Sequence, residues 1–340
     1  MFRVEIKTPN KILLVIIKDM GDVILTTPMA EILKYNFPKA RVDILVLNSL
    51  TDVVKNSPYI DNIITYDKKQ AFKEILKVRA LKYDWIIDFL NNPRSAMVCA
   101  LSGAKLKAGL TTNIHKFYAY NFYLKRPQIR TYSCDFKLEM LKQLGVKWPN
   151  EHAPLPIYKL TKEQEEKSLQ IYKELNISSQ EKVIGFYATP KGEARKWTAL
   201  NFRKTADLLH AKYNASVMVI CAPWEKDYAM EIKQDTPWIH LSPSTERIED
   251  MYPILKRLNL LISCCGGTKH LALSVGVPTI TLHFRNPASA WTPVFDKNHI
   301  GIQAKTSCSP CRTEHCNNNY ICKNSITPQE VFEAAQKFLG

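Results

Sequence analysis

Asp22 directly follows Gly21, four residues after the apolar run "ILLVIIK" ends at Lys18. A carboxylate at the mouth of a strand-to-helix turn has two uses. As an N-cap it accepts hydrogen bonds from the unsatisfied N–H groups of the helix. As a general base it takes a proton from a hydroxyl held against it. A second chemical stretch, "TPKGEARKWTALNF", sets Lys191, Arg195 and Lys196 just before a helix. Cations there oppose the helix dipole unless an anion joins them, so the loop is either a phosphate site or a solvated basic loop. A third, "CCGGTKHLALSVG", runs a strand into Gly266-Gly267, with a helix from about Thr268. Glycines permit close backbone approach and positive φ, and a helix N-terminus suits a phosphate or pyrophosphate. The same residues also suit a plain tight turn, and they form neither G-x-G-x-x-G nor a P-loop. His270 on the first turn contacts a ligand or steadies the loop. Asp88, closing "YDWIIDFL", shapes the acceptor side of a site, caps the helix at Arg94, or does both.

The nine cysteines divide unevenly. Cys99, Cys134, Cys221, Cys264 and Cys265 are scattered, whereas Cys308, Cys311, Cys316 and Cys322 form C-x2-C-x4-C-x5-C. Four thiolates at that spacing suit a tetrahedral structural Zn or Fe site. Disulfides or free thiols are the alternative, and in each case the loop 308–322 is a staple rather than a catalyst.

The elements that must position these residues alternate along the chain. "KILLVIIK", "RVDILVL", "NIITY" and "DWIIDFL" are short buried strands. "DVILTTPMAEILKYNF", residues 68–79 and "RSAMVCALSG" are helices between them. Apolar strands alternating with helices predict a doubly wound α/β domain with a parallel sheet. A stretch with three prolines, Trp148 to Leu160, reads as a linker. The pattern then repeats with "KVIGFYA", "SVMVICA", "IHLSP", "LNLLISCC" and "PTITLHF" as strands. Thr161–Gln164 is a capping box, and Thr327, Pro328 and Glu330 open a final helix. The expected organisation is one domain over 1–155, a second over 156–326, and a terminal helix over 327–340. Ligands of such sheets bind beyond the carboxyl ends of the strands, which is where Asp22, Asp88, "ATPKGEARKW" and "CCGGTKH" fall.

Lys+Arg outnumber Asp+Glu by 47 to 32, a net charge of +15. That favours an anionic partner, although the bases are spread rather than blocked into a tail. No apolar run approaches the roughly 20 residues a membrane-spanning helix needs. No secretory signal opens the chain, so a cytoplasmic location is expected.

Together these stretches resemble the ADP-heptose:lipopolysaccharide heptosyltransferases, glycosyltransferase family 9. The resemblance rests on "MGDVILTTP", "YDWIIDFLNNPRSAMVCALSGAKLKAGL", Lys196-Trp197, "GTKHLA" with "GVPTITLHFRNPASAWTP", and the cysteine loop, in that order along nearly the whole chain. It implies a GT-B fold, two Rossmann-like domains facing across a cleft, with acceptor on the first and donor on the second. It implies an inverting transfer that needs no metal cofactor, with Asp22 as base. Lys18, Gly21, Asp88 and Arg94 would then serve the acceptor. Thr189, Arg195, Lys196, Gly266, Gly267, Thr268 and His270 would serve the donor. Gly21 would let the backbone turn so that the acid points outward. The implied partners are an ADP-sugar and an anionic glycolipid acceptor, with the enzyme peripheral on the inner face of a bacterial inner membrane. The sequence departs from the family at Cys265-Gly266-Gly267, where an acid is usual before the loop; a thiol does not accept hydrogen bonds as a carboxylate does, which leaves the donor sugar open. Competing readings are a glycosyltransferase of this fold using another nucleotide sugar or a protein acceptor, an NAD(P)-dependent two-domain oxidoreductase, which lacks its fingerprint here, and a nucleic-acid-binding module, for which there is no motif beyond charge.

Overall fold

The computed structural model describes residues 7–110, 118–127, 131–188, 192–311 and 316–340. The chain forms two compact units, Met1–Lys159 and Leu160–Gly340.

In unit 1 the strands are β1 (Lys11–Val15), β2 (Arg41–Leu47), β3 (Asn62–Tyr66), β4 (Trp85–Asp88), β5 (Leu106–Leu110) and β6 (Phe122–Leu124). The helices are α1 (Met20–Ile24), α2 (Pro28–Asn36), α3 (Ala71–Ala80), α4 (Pro93–Leu101) and α5 (Ser133–Lys142). Every strand pair is parallel and the order is β3-β2-β1-β4-β5-β6. Parallel strands need crossover helices on both faces, so they are buried twice over. Ile12 to Val15 accordingly have no exposed surface.

Unit 2 carries β7 (Val183–Tyr187), β8 (Ser216–Ile220), β9 (Ile239–Leu241), β10 (Leu260–Cys264), β11 (Thr279–His283) and β12 (His299–Gln303). Its helices are α6 (Lys162–Glu174), α7 (Ala199–Tyr213), α8 (Lys226–Lys233), α9 (Met251–Lys256), α10 (Thr268–Ser274), α11 (Ala288–Trp291), α12 (Cys322–Ser325) and α13 (Pro328–Leu339). The sheet order, β12-β11-β10-β7-β8-β9, is the same doubly wound order as in unit 1. In each unit the strand order reverses at one place, between β1 and β4 and between β7 and β10. Such switch points open a crevice at the carboxyl ends of the two strands.

Several elements differ from the sequence reading. The helix expected over 22–37 is two helices, because Pro28 has no N–H and its ring would meet the carbonyl of Ile24. Thr26 Oγ1 instead donates to Asp22 O at 2.7 Å and Thr27 Oγ1 to Ile24 O at 2.9 Å, closing the break. Strands β5, β6 and β12 were not anticipated: "LKAGL" and "HIGIQ" mix polar residues and glycine, and β6 has only three residues. Gly109 on β5 is required by close approach, since a Cβ there would lie 2.4 Å from the Tyr120 ring. The Thr161–Gln164 box forms in both directions. At α13, Thr327 accepts from Glu330 N–H, but the Glu330 carboxylate pairs with Lys305 at 2.9 Å. Among the described residues no helix is long and apolar enough to cross a membrane.

Candidate functional site

At the carboxyl end of β1, Asp22 lies in the first turn of α1 and not at its N-cap, which is Asp19. The capping reading of Asp22 is therefore corrected. Gly21 is likewise inside α1, so the sharp turn expected of it is not made there; the positive-φ glycines among the described residues are Gly103, Gly145, Gly192 and Gly276. Lys18 Nζ donates to Asp22 Oδ1 at 3.2 Å. The Asp22 side chain is 15% exposed, so it is shielded yet reachable.

Beneath this pair sits a residue that sequence reasoning missed. Lys137 on α5 is 4% exposed, and its ammonium donates to Ser133 Oγ at 2.8 Å. Burial pushes its pKa down; the neighbouring Cys134 and Asp22 pull it up, and Lys18 pushes it down again. Cys134 Sγ donates to Leu25 O at 3.4 Å, which ties α5 to the break between α1 and α2, and burial pushes its thiol up to about 12. The signal available in the sequence was a lysine on the apolar face of an amphipathic helix.

Asp88, beside Val15 in the β1–β4 register, has no exposed surface. Its Oδ1 accepts from Leu90 N–H at 2.8 Å and Asn91 N–H at 3.2 Å, and its Oδ2 from Tyr120 OH at 2.7 Å. Burial holds its carboxyl above the ordinary range, against hydrogen bonds from Ser95, Tyr120 and the backbone. Asp88 thus anchors the β4–α4 turn from inside. It does not cap α4, whose N-cap is Asn92 in a box with Ser95. Arg94 is exposed at the start of that helix.

In unit 2 the loop after β7 meets the carboxyl end of β10. Trp197, 1% exposed, donates from its backbone N–H to Cys264 Sγ at 3.3 Å and from Nε1 to Ile326 O at 3.1 Å. This fixes Lys196 beside the end of β10. The Lys196 ammonium lies 3.4 Å from Glu193 Oε2 and 5.7 Å from the Tyr228 ring centre. Glu193 also pairs with Lys323, and these cations hold its carboxyl below the usual range. Arg195 Nε is buried with no hydrogen-bond partner among the described residues. Thr189 and Lys191 lie outside the described residues.

Gly267, with φ −66°, is the N-cap of α10 and needs no left-handed backbone. Thr268 and His270 are 3% and 2% exposed, and the His270 ring packs 6.1 Å from that of Trp291. Between them Lys269 is also buried, donating to Trp291 O at 2.6 Å and Thr292 Oγ1 at 3.2 Å. Burial pushes its pKa down to about 8. The departure from the family pattern is here too: Cys265 is 7% exposed, and its sulfur, a weak acceptor, takes a hydrogen bond from Asn286 Nδ2 at 3.9 Å.

No cysteine among the described residues forms a disulfide. Cys316 Sγ accepts from Asn318 N–H at 3.4 Å and Tyr320 N–H at 3.3 Å. Burial, then the nearness of Cys308, Cys316 and Cys311, pushes the Cys322 thiol up. The four thiols are neighbours, yet among the described residues no three His, Cys, Asp or Glu converge closely enough to hold a metal ion. Among the described residues the expected Zn or Fe ligand set is not formed.

Chemically, unit 1 offers a partly shielded carboxylate steadied by an ammonium. Unit 2 offers Lys196, held beside the end of β10 by its neighbour Trp197, and next to it Arg195 with a buried, unpartnered Nε. Comparison with known proteins now bears on this arrangement. The model of "Glycosyltransferase family 9 (heptosyltransferase)" matches residues 72–321, a span that leaves out Asp22. Lipopolysaccharide heptosyltransferase 3 of Escherichia coli is 22% identical over 94% of this chain and 96% of its own. The solved structure of a family 9 glycosyl transferase from Veillonella parvula has a TM-score of 0.82 at 19% identity, covering 97% of both chains. That of E. coli heptosyltransferase WaaC with ADP-2-deoxy-2-fluoro heptose has a TM-score of 0.73 at 16% identity, covering 96% of this chain and 99% of that one. The GT-B type pairing of two Rossmann-like folds is thereby shared, and the oxidoreductase reading is set aside. With a family model spanning most of its length and the fold to match, the chain belongs to glycosyltransferase family 9, the heptosyltransferases, and is a glycosyltransferase.

Proposed function

We propose that the enzyme moves a heptose, or a closely related sugar, from an ADP-sugar to a lipopolysaccharide inner-core acceptor, with inversion at the anomeric carbon. Unit 1 would take the acceptor and unit 2 the donor. Asp22 accepts the proton of the acceptor hydroxyl as the oxygen–carbon bond forms. The bond from the anomeric carbon to the donor phosphate breaks on the opposite face, and its electron pair leaves with the ADP. Lys196, Arg195 and the backbone N–H groups near Gly267–Thr268 receive the developing charge. No step in this scheme uses a metal.

The observation that supports it best is topological. The candidate groups of each unit follow strands at its switch point, Asp22 after β1 in one, Lys196 after β7 and Gly266–Thr268 after β10 in the other. Arg195 adds a buried, unpartnered donor nitrogen of the kind a diphosphate satisfies. The solved relative that binds an ADP-heptose analogue gives the donor class its precedent. Because Cys265 replaces the usual acid, the sugar itself is the open variable. A thermal-shift panel of ADP-, GDP- and UDP-sugars tests the donor: stabilisation by ADP-sugars supports the reading, and stabilisation by UDP- or GDP-sugars alone overturns it.

A further inference from the structure

Helices α3 and α4 pack on one face of the unit 1 sheet and share a core. Ile75 and Val78 of α3 are buried with Ala96, Val98 and Cys99 of α4 over Leu13, Val15 and Ile86. Their outward turns are not simply polar. Phe72 and Leu76, one turn apart on α3, are 69% and 49% exposed; Met97 and Leu101, one turn apart on α4, are 49% and 41% exposed. Arg79 Nη1 donates to Leu101 O at 3.1 Å, tying the last turns of the two helices together. A surface helix ordinarily sets polar residues opposite its buried stripe. Apolar side chains gathered outside it mark a contact surface.

The surround is cationic. Residues 68–82 hold Lys68, Lys69, Lys73, Lys77, Arg79 and Lys82 against one acid, Glu74. All six cations are exposed, while Glu74 is buried and pairs with Lys77 at 2.9 Å. Arg94 adds a further exposed cation on α4. Lysines are depleted from protein–protein interfaces, because holding them still costs rotamer entropy and desolvation. Exposed aliphatic side chains find no counterpart on a nucleic-acid backbone. Apolar residues one turn apart, set among lysines, are instead what an interfacial membrane helix carries: the apolar groups enter the headgroup region and the ammonium groups meet lipid phosphates.

We propose that the outer face of α3 and α4 docks on an anionic lipid bilayer, with Phe72, Leu76, Met97 and Leu101 inserted among the headgroups. The surface goes beyond the proposed transfer reaction, and it explains how a lipid-anchored acceptor would reach unit 1. Its test uses no sugar, so the two readings fail separately.

The experiment is flotation of the full chain with vesicles of phosphatidylcholine alone and of phosphatidylcholine containing about one-third phosphatidylglycerol. Binding is expected to the anionic vesicles alone and to weaken as salt rises. Phe72→Ser with Leu76→Ser should lower partitioning by roughly tenfold or more. Lys69→Gln with Lys73→Gln should lower it too, while Trp224→Ser, altering a residue 85% exposed on unit 2, leaves it unchanged. All variants are at exposed positions, and an unchanged melting temperature confirms folding. Equal binding to both vesicle types, binding to neither, or full binding by the Phe72/Leu76 variant overturns the proposal. So does light scattering in which the wild type is a dimer that this variant dissolves, since a second copy of the chain would then cover the face.

Discussion

Lys18 and Asp22 stand four residues apart in sequence, with the ammonium 3.2 Å from one carboxylate oxygen. The lysine lies in the connection after β1 and the acid in the first turn of α1, so the contact spans the entry to the helix. With Lys18 47% exposed, the pair is too wet to be a major source of stability. Its consequence is orientation.

Asp22→Asn should therefore remove turnover while sparing the fold. A base contributes about 10²- to 10⁴-fold, and kcat is expected to fall by that much. Stabilisation by the ADP-sugar should persist, because donor binding is assigned to other residues. Turnover within twofold of wild type would sink the base assignment. Lys18→Met should give a smaller fall in kcat, since it removes only the orienting contact.

Lys196→Ala should reduce kcat/KM for the ADP-sugar by about 10²-fold, the scale on which one preorganised donor to a developing charge is valued. Glu193→Gln provides the contrast. It frees Lys196 from its 3.4 Å partner and should weaken neither donor binding nor turnover. If Glu193→Gln lost activity as severely as Lys196→Ala, the loop would be a structural clamp rather than a charge receiver.

Asp88 is a matter of stability. Tyr120→Phe removes the 2.7 Å hydrogen bond to a carboxylate with no access to water, a loss of about 1–3 kcal/mol in denaturant unfolding. Gly109→Ala should be at least as costly, because its methyl would collide with the ring that makes that bond. A Tyr120→Phe variant as stable as wild type would show that Asp88 finds another donor.

Lys269 supplies a pH signature. Its folded pKa is depressed to about 8 by burial, below the unfolded value of about 10.4. Between those values the unfolded chain binds the extra proton, so this residue's contribution makes stability rise with pH from about 8 to 10. The melting temperature of wild type, measured against Lys269→Met across that range, should climb relative to the variant. Parallel curves would mean that the ammonium is not buried in solution.

The strand–helix alternation, the division into two units and the residue types that stand at the strand ends are all legible in the amino-acid order alone. Those features are written in local patterns: apolar runs, caps such as Thr161 with Gln164, and side chains of fixed type. It also carried the family, through motifs in a fixed order. Where each side chain points was decided by tertiary structure. Asp88 became a buried anchor because Tyr120, thirty-two residues away, closes over it across Gly109. Asp22 was moved off the helix cap by the single turn that Asp19 opens, and Lys137 was brought beneath it by α5. The four cysteines have the spacing of a metal loop, yet among the described residues they form no metal-holding group, because spacing along a chain does not fix convergence in space. The outward turns of α3 and α4 belong to the same class. Each helix carries more apolar residues than it buries, and the order of residues alone does not say that Phe72, Leu76, Met97 and Leu101 are the ones left exposed, because burial is a property of neighbours and not of residues.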